Sequence, residues 1–330
     1  MRIAVLGLGA VGARAARQLA STDGVTEVVL RDRQTARVDE VAASLGAVAR
    51  AEHGPYPAVV DADAVILATP AGTHALEAAL LVGAGRPVVS CSDAVPDVTA
   101  LLELGPEAEA RGCTVVVGAA FAPGMTCVLA SFAAAGFSEV DEIHVARVGT
   151  GGPACARQHH VSLGGTGIDW RDGGWVRRPA GSGRELCWFP DPIGAEDCYR
   201  AALSDALLLV PAFPGVSRVT ARSAANRRDR LTGRLPMMRP PHPEGGLGAV
   251  RVEVRGRRGS SRDVRVLGAM DRPGVAAGAI CALAAVEAAS GRLVRYGAAG
   301  LAGLVDAPQF LQELSRRGVK AALFEGGAAA

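Results

Sequence analysis

The sequence predicts an α/β fold, a doubly wound parallel Rossmann sheet followed by a second α+β domain whose sheet is largely antiparallel. Three observations carry the prediction. The chain opens on a short apolar run that turns through three glycines into an alanine-rich helix. Continuous apolar runs then alternate with helical stretches as far as Gly124, the pattern of a parallel sheet covered on both faces. Beyond it come runs that alternate polar and apolar residues, as strands with one wet face do.

In chain order, residues 2–6 are a buried strand, and Gly7-Leu8-Gly9-Ala10-Val11-Gly12 is the turn into a helix reaching Leu19. Gly7 permits the tight turn, Gly9 lets backbone approach a pyrophosphate, and Gly12 lets the helix lie on the strand. The helix N-terminus offers N–H groups and a positive dipole end to that anion. A second apolar run, 27–30, ends at Asp32, the interval at which a carboxylate grips a ribose. Val59-Val60 and residues 63–70 read as a strand ending in a loop. His74 opens a helix to about Gly83, followed by a strand at 86–90, a helix at 98–111 and a strand at 113–117. The last strand stops at the 118–124 segment.

Past Gly124 the reading is a helix at 125–135, a half-exposed strand at 140–148 and a helix at 153–163. A hairpin turns at Asp172-Gly173 between Trp170 and Trp175. Strands are expected at 185–189, 217–222, 250–255 and 262–267, helices at 273–290 and 309–316, and a disordered tail at 326–330. Residues 1–124 then make a dinucleotide-binding domain and 125–330 a substrate and oligomerisation domain, with the helices between about 273 and 316 returning to the first.

Composition narrows the function. At 330 residues and 49% hydrophobic content the chain suits two cored domains. A formal net charge of +2 gives no reason for a nucleic-acid partner. Apolar stretches break at Gly, Pro, Asp or Arg before the roughly 20 residues that span a bilayer, so a cytoplasmic protein with no membrane partner is expected. Seven cysteines, at 91, 113, 127, 155, 187, 198 and 281, include no C-x-x-C pair, which argues against a zinc ribbon and a disulfide framework; no metal is expected. The sole lysine is Lys320, which excludes a Schiff-base or general-base lysine inside a catalytic domain.

Asp32 favours NAD, because a 2′-phosphate would meet its charge, whereas Arg33, with Arg31 and Arg37 beside it, suits NADP. NAD is the expected cofactor and NADP the alternative. Ala68, Thr69 and Pro70 end a strand where open α/β sheets bind ligands, and His74 and Cys91 follow as crevice candidates, although Thr69-Pro70 also suits a plain turn and His74 a helix cap. His159 and His160 share one helix about 100° apart, so at most one faces a crevice; near its ordinary pKa of about 6.5 a histidine carries the proton that accompanies hydride transfer. Arg184 suits a two-pronged grip on a substrate carboxylate, or an ion pair with Glu185. The arginine-rich stretch 218–239 is solvated surface or a lure for an anionic substrate or partner subunit.

Val5 to Gly12, Arg31-Asp32-Arg33, Ala68-Thr69-Pro70 and above all Phe121-Ala122-Pro123-Gly124 resemble the saccharopine dehydrogenase-like oxidoreductases. The resemblance implies that the turn carrying Phe121, Pro123 and Gly124 closes over the nicotinamide and opens the second domain. It also implies NAD(P)-dependent hydride transfer to or from a small amino- or imino-acid-like substrate, bearing a carboxylate or amine. A homodimer is the expected assembly. A dinucleotide-binding regulator or scaffold without catalysis is the alternative. Residues 68–74 recur in the glucose-fructose oxidoreductase group as well, but there a Glu-Lys-Pro motif follows the next strand. Here Ser90-Cys91-Ser92-Asp93 stands without lysine, which disfavours a sugar substrate.

Overall fold

The structure is a computed structural model that describes residues 1–54, 60–237 and 240–324. The expected strand start at Val59, the end of the arginine stretch at Arg239 and the tail at 326–330 lie outside the described residues. The chain divides into two compact units, Met1–Gly124 with Gly274–Asp306, and Met125–Pro273 with Ala307–Ala330.

The first run of elements is β1 (Arg2–Leu6), α1 (Gly12–Ala20), β2 (Glu27–Arg31), α2 (Thr35–Leu45), β3 (Ala49–Ala51), β4 (Ala64–Leu67), α3 (His74–Gly83), β5 (Val88–Ser90), α4 (Val95–Glu103), α5 (Gly105–Ala110) and β6 (Thr114–Val116). Then come α6 (Met125–Ala134), β7 (Glu139–Val148), α7 (Pro153–Ser162), β8 (Thr166–Arg171), β9 (Gly174–Pro179), β10 (Glu185–Trp188), β11 (Ala195–Tyr199), α8 (Asp205–Leu209), β12 (Arg218–Ala224), α9 (Arg227–Thr232), β13 (Gly248–Arg258) and β14 (Ser261–Asp271). The chain closes with α10 (Pro273–Ala289), β15 (Gly297–Ala299), α11 (Ala307–Arg316) and β16 (Ala321–Phe324).

In the first unit the strand order is β15-β6-β5-β4-β1-β2-β3, every neighbour parallel. Ile3, Ala4, Val5, Val65, Ile66, Val88 and Val89 are wholly buried, as continuous apolar strands covered on both faces must be. The order reverses at β1, which has β2 on one side and β4 on the other; ligands of doubly wound sheets bind at such a switch point, at the carboxyl ends of the strands. Two strands of three residues each, β3 and β15, carry too short a pattern to be read and are defined by their pairing. The all-round apolar α10 is buried against α1, where a Cβ on Gly278 would stand 2.7 Å from that of Arg14.

The second unit holds a sheet ordered β10-β11-β12-β7-β13-β14-β16, with the β8–β9 hairpin paired to β12. β12 runs parallel to β7, the one parallel pairing in that path. The hairpin turns at Asp172 (φ 48°) and Gly173 (φ 83°), two consecutive left-handed residues of the kind a two-residue hairpin needs. Ile143, Val145, Val250, Val252 and Val254 are buried on the face that α6 covers, and the alternate positions His144, Arg251 and Glu253 form the other face. Trimming Leu129 of α6, wholly buried there, to alanine costs about 2–5 kcal/mol.

The returning segment is shorter than the sequence suggests. α10 and β15 belong to the first unit, but α11 belongs to the second and packs on α6, burying Ala307, Phe310 and Leu314. These three buried residues fall on one helical face, and that face fits a neighbour in its own unit. Among the described residues no helix is long and apolar enough to cross a membrane, and no group of His, Cys, Asp and Glu is arranged to hold a metal ion.

Candidate functional site

The turn after β1 is fixed by glycine at two points and left open at the third. Gly7 has φ +91°, and a Cβ there would lie 2.6 Å from the Ala68 carbonyl oxygen. A Cβ on Gly12 would stand 1.8 Å from the Gly7 oxygen, so the helix start and the turn touch backbone to backbone. Around Gly9 nothing lies within 4 Å of that position, and the residue is exposed. Open space at Gly9 beside half-buried Ala10 and Val11, at the N-terminus of α1, is a cradle that a pyrophosphate fits.

Asp32 holds this turn. Its Oδ2 accepts from the Leu8 N–H at 2.6 Å and its Oδ1 from the Gln34 N–H at 2.9 Å, and the residue stays half-exposed. Arg33 is exposed, so its guanidinium is at hand for a 2′-phosphate. Arg37 is more than solvated loop: its Nε donates to the Leu8 carbonyl at 3.1 Å and its Nη1 pairs with Glu40. Arg31 is buried, away from any role at the surface.

After β4, Ala68 and Thr69 are half-buried and Pro70 exposed. His74 is neither cap nor ligand. It is wholly buried, with Nε2 2.8 Å from the Thr69 carbonyl and Nδ1 2.8 Å from Ser90 Oγ. Thr69 Oγ1 lies within hydrogen-bond range of Thr73 Oγ1 and Glu77 Oε2. Cys91 is half-exposed at the end of β5 against Cys281 of α10; the hydrogen bond between them, then burial, pushes the Cys281 thiol well above its ordinary value. The 121–124 turn is buried throughout. A Cβ on Gly124 (φ +123°) would lie 2.1 Å from the Ala120 oxygen, and the Cys281 thiol donates to the Ala119 carbonyl. Thus Gly7, Gly9, Gly12, Asp32, Thr69, Pro70, Cys91 and Phe121 all follow the carboxyl ends of parallel strands in one sheet.

The second unit departs from expectation. His159 does not titrate near 6.5: burial, then Arg147 and His160, lowers its pKa to about 3, and it sits 3.3 Å from Ser223 Oγ. His160 donates Nε2–H to the Leu235 carbonyl at 2.8 Å. Arg184 pairs with Asp197 at 2.8 Å rather than with Glu185, because β10 and β11 are neighbours and place Asp197 alongside it; its side chain is 69% exposed. It lines a recess of about 990 Å³ together with Leu186, Asp197, Tyr199, Asn226 and Arg230. Neither histidine lines that recess, so the structure does not gather the three expected catalytic residues. Arg230, whose guanidinium stacks 4.1 Å over the Tyr199 ring, belongs to the arginine stretch read as surface or as a lure for an anion, but its place in one recess with Arg184 follows only from the way α9 and β11 meet in three dimensions. Asp97 escaped notice. Its signal is an acidic residue beside Pro96 in the first turn of a helix.

Residues 1–119 match the Gfo/Idh/MocA oxidoreductase family, NAD-binding Rossmann fold. A relative of that stretch is inositol 2-dehydrogenase of Mycolicibacterium gilvum, 37% identical over 108 residues, which are 32% of this chain and 30% of that enzyme. The alignment thus spans about a third of the curated relative's length. Among solved structures, saccharopine dehydrogenase (L-Glu forming) from Saccharomyces cerevisiae superposes with a TM-score of 0.69 at 15% identity, covering 98% of this chain and 99% of the other. A myo-inositol dehydrogenase from Corynebacterium glutamicum gives 0.50 at 14% identity over 99% of each chain. The sequence likeness to this oxidoreductase family is thus confined to the N-terminal stretch, while the likeness to saccharopine dehydrogenase is one of fold. Motif, turn geometry and match together make the first unit a Rossmann unit whose residues 1–119 are similar to the NAD-binding domains of that oxidoreductase family.

Proposed function

We propose that the chain is an NAD(P)-dependent dehydrogenase or reductase, with NAD as cofactor and NADP as the alternative, acting on a small carboxylate- or amine-bearing substrate of amino- or imino-acid type. The observation that carries this reading is the glycine-built turn after β1 with Asp32 bonded across it. Gly7, Gly9, Ala10, Val11 and Gly12 hold the pyrophosphate by backbone, Asp32 the adenosine ribose, and Thr69, Pro70 and the 121–124 turn the nicotinamide end. Bound NAD supplies the hydride acceptor. Arg184 orients a substrate carboxylate, exchanging Asp197 for it. His159, neutral through the physiological range, serves as a hydrogen-bond partner rather than as a titrating acid.

A second reading, a polyol of inositol type, rests on the sequence match of the first 119 residues. The absence of lysine after β5 weighs against it. Turnover followed by nicotinamide absorbance, with amino acids, keto acids plus ammonia, and inositols side by side, decides between them. Activity with inositols alone replaces the first reading by the second. Tight cofactor binding with no turnover on any of them leaves a dinucleotide-binding regulator or scaffold. A homodimer belongs to the same proposal, and light scattering that returns the mass of one chain removes it.

A further inference from the structure

Parallel strands β4 and β5 are joined by backbone hydrogen bonds, but the loops beyond their carboxyl ends are joined by side chains alone. The Thr69 carbonyl can only accept, so His74 carries its proton on Nε2 and donates there at 2.8 Å. Nδ1 pairs with the Ser90 hydroxyl at 2.8 Å, and Ser90 Oγ in turn accepts from the Ser92 N–H at 3.2 Å. The Ser92 hydroxyl donates to Asp97 Oδ2 at 2.7 Å, which also accepts from the Gly72 N–H at 2.9 Å. Gly72 lies three residues past Thr69, where the chain of bonds began. It is a closed belt, Thr69–His74–Ser90–Ser92–Asp97–Gly72, in which every donor and acceptor just counted is used.

All four side chains of the belt are buried: His74 and Ser90 are 0% exposed, Asp97 4% and Ser92 6%. The outer surface of the same loops is open, with Thr69 half-buried and Pro70, Ala71 and Gly72 exposed. A buried polar network of this kind rigidifies what it ties, at the desolvation cost of an imidazole and a carboxylate. The doubly wound sheet is made of two mononucleotide-binding halves; β1 and β2, with the Gly turn and Asp32, form one, and β4 and β5 begin the other.

We infer that His74 and Asp97 are positioning residues that hold the loops after β4 and β5 in the shape that receives the nicotinamide half of the dinucleotide, independently of the turn that receives the adenine half. The inference rests on the proposed dinucleotide reading. Neither residue touches the ligand; each acts through Thr69 and Gly72.

The test uses the full chain and two probes, NADH and ADP, titrated by calorimetry. His74→Phe keeps the ring volume and removes both polar contacts, and Asp97→Leu removes the one oxygen that accepts from both Gly72 and Ser92. Each is expected to weaken NADH by about tenfold or more, the effect of losing two hydrogen bonds from a buried network, while ADP stays within about twofold. Should either variant fail to fold, Ser92→Ala and Asp97→Asn break single links and are expected to show the same ratio at smaller size. His74→Gln, which can donate to Thr69, is expected to recover part of the NADH affinity. Equal losses for NADH and ADP would show a merely structural role and overturn the inference, as would unchanged NADH affinity. A wild-type chain that binds ADP but not NADH also overturns it. A wild type that binds neither probe fails the dinucleotide reading itself, and that outcome is told apart before any variant is made.

Discussion

The nucleotide-binding loops of the first unit and the arginine-lined recess of the second are built on opposite plans. In the first, shape resides in backbone: Gly7 and Gly12 pack against carbonyl oxygens, and Asp32, His74 and Asp97 bond to main-chain groups of the loops. In the second, shape resides in side chains that answer one another, exposed Arg184 with Asp197 and half-exposed Arg230 with buried Tyr199. A backbone-built site admits almost no substitution and serves one ligand. A side-chain-built recess can change residues without changing the fold, which suits the part of an enzyme that chooses a substrate.

The largest effect that contrast demands is at Gly12. Gly12→Val forces a Cβ to 1.8 Å from the Gly7 oxygen, so cofactor binding is expected to vanish and the first unit to lose about 3 kcal/mol or more, read by melting and by titration with NADH. A variant with wild-type melting and affinity would break the comparison outright. Gly9→Val sharpens it, since the space there is empty: the fold is expected to hold while NADH weakens by about tenfold or more, about 1.4 kcal/mol. Unchanged affinity removes the glycine turn from the nucleotide site.

In the second unit, the largest single-group effect is expected at His159, whose pKa is lowered to about 3 from an ordinary 6.5 by burial first and Arg147 next. Because the folded value lies below the unfolded one, the stabilisation is complete above about pH 6.5 and is lost as pH falls toward 3, with a slope of at most about 1.4 kcal/mol per pH unit. Denaturant titrations at pH 7 and pH 5 are expected to show the loss, and His159→Gln to flatten it; an equal slope in the variant assigns it elsewhere. The smallest expected effect is on stability at Arg184. With its side chain 69% exposed, Arg184→Lys is expected to leave the melting temperature unchanged while raising KM for the substrate. A large drop in melting temperature would make that arginine a structural residue.

The same contrast explains what could be read from the chain. Gly7, Gly9, Gly12 and Asp32 sit at intervals set by one strand and one helix, so their roles follow from local geometry. The Asp172-Gly173 hairpin was legible for the same reason. Asp97 and Gly72 are 25 residues apart and meet only because β4 and β5 are neighbours. Arg230 and Tyr199 meet because α9 follows β12, which pairs with β11. Spacing alone makes one of His159 and His160 a candidate to carry a proton, because it places neither their partners Ser223 and Leu235 nor the charge of Arg147.

One strand of three residues, β15, carries a consequence for synthesis. It completes the first unit's sheet beside β6, and α10 ahead of it covers α1, yet both are translated after every strand of the second unit's sheet apart from β16. Until residues 274–299 leave the ribosome, the outer edge of β6 offers an unpaired row of N–H and C=O groups, and α1 has its buried small-residue face in water. A nascent or prematurely terminated chain is therefore expected to be sticky even where its first 124 residues are intact. The N-terminal 119 residues that match the oxidoreductase family do not include all the residues that complete their own sheet.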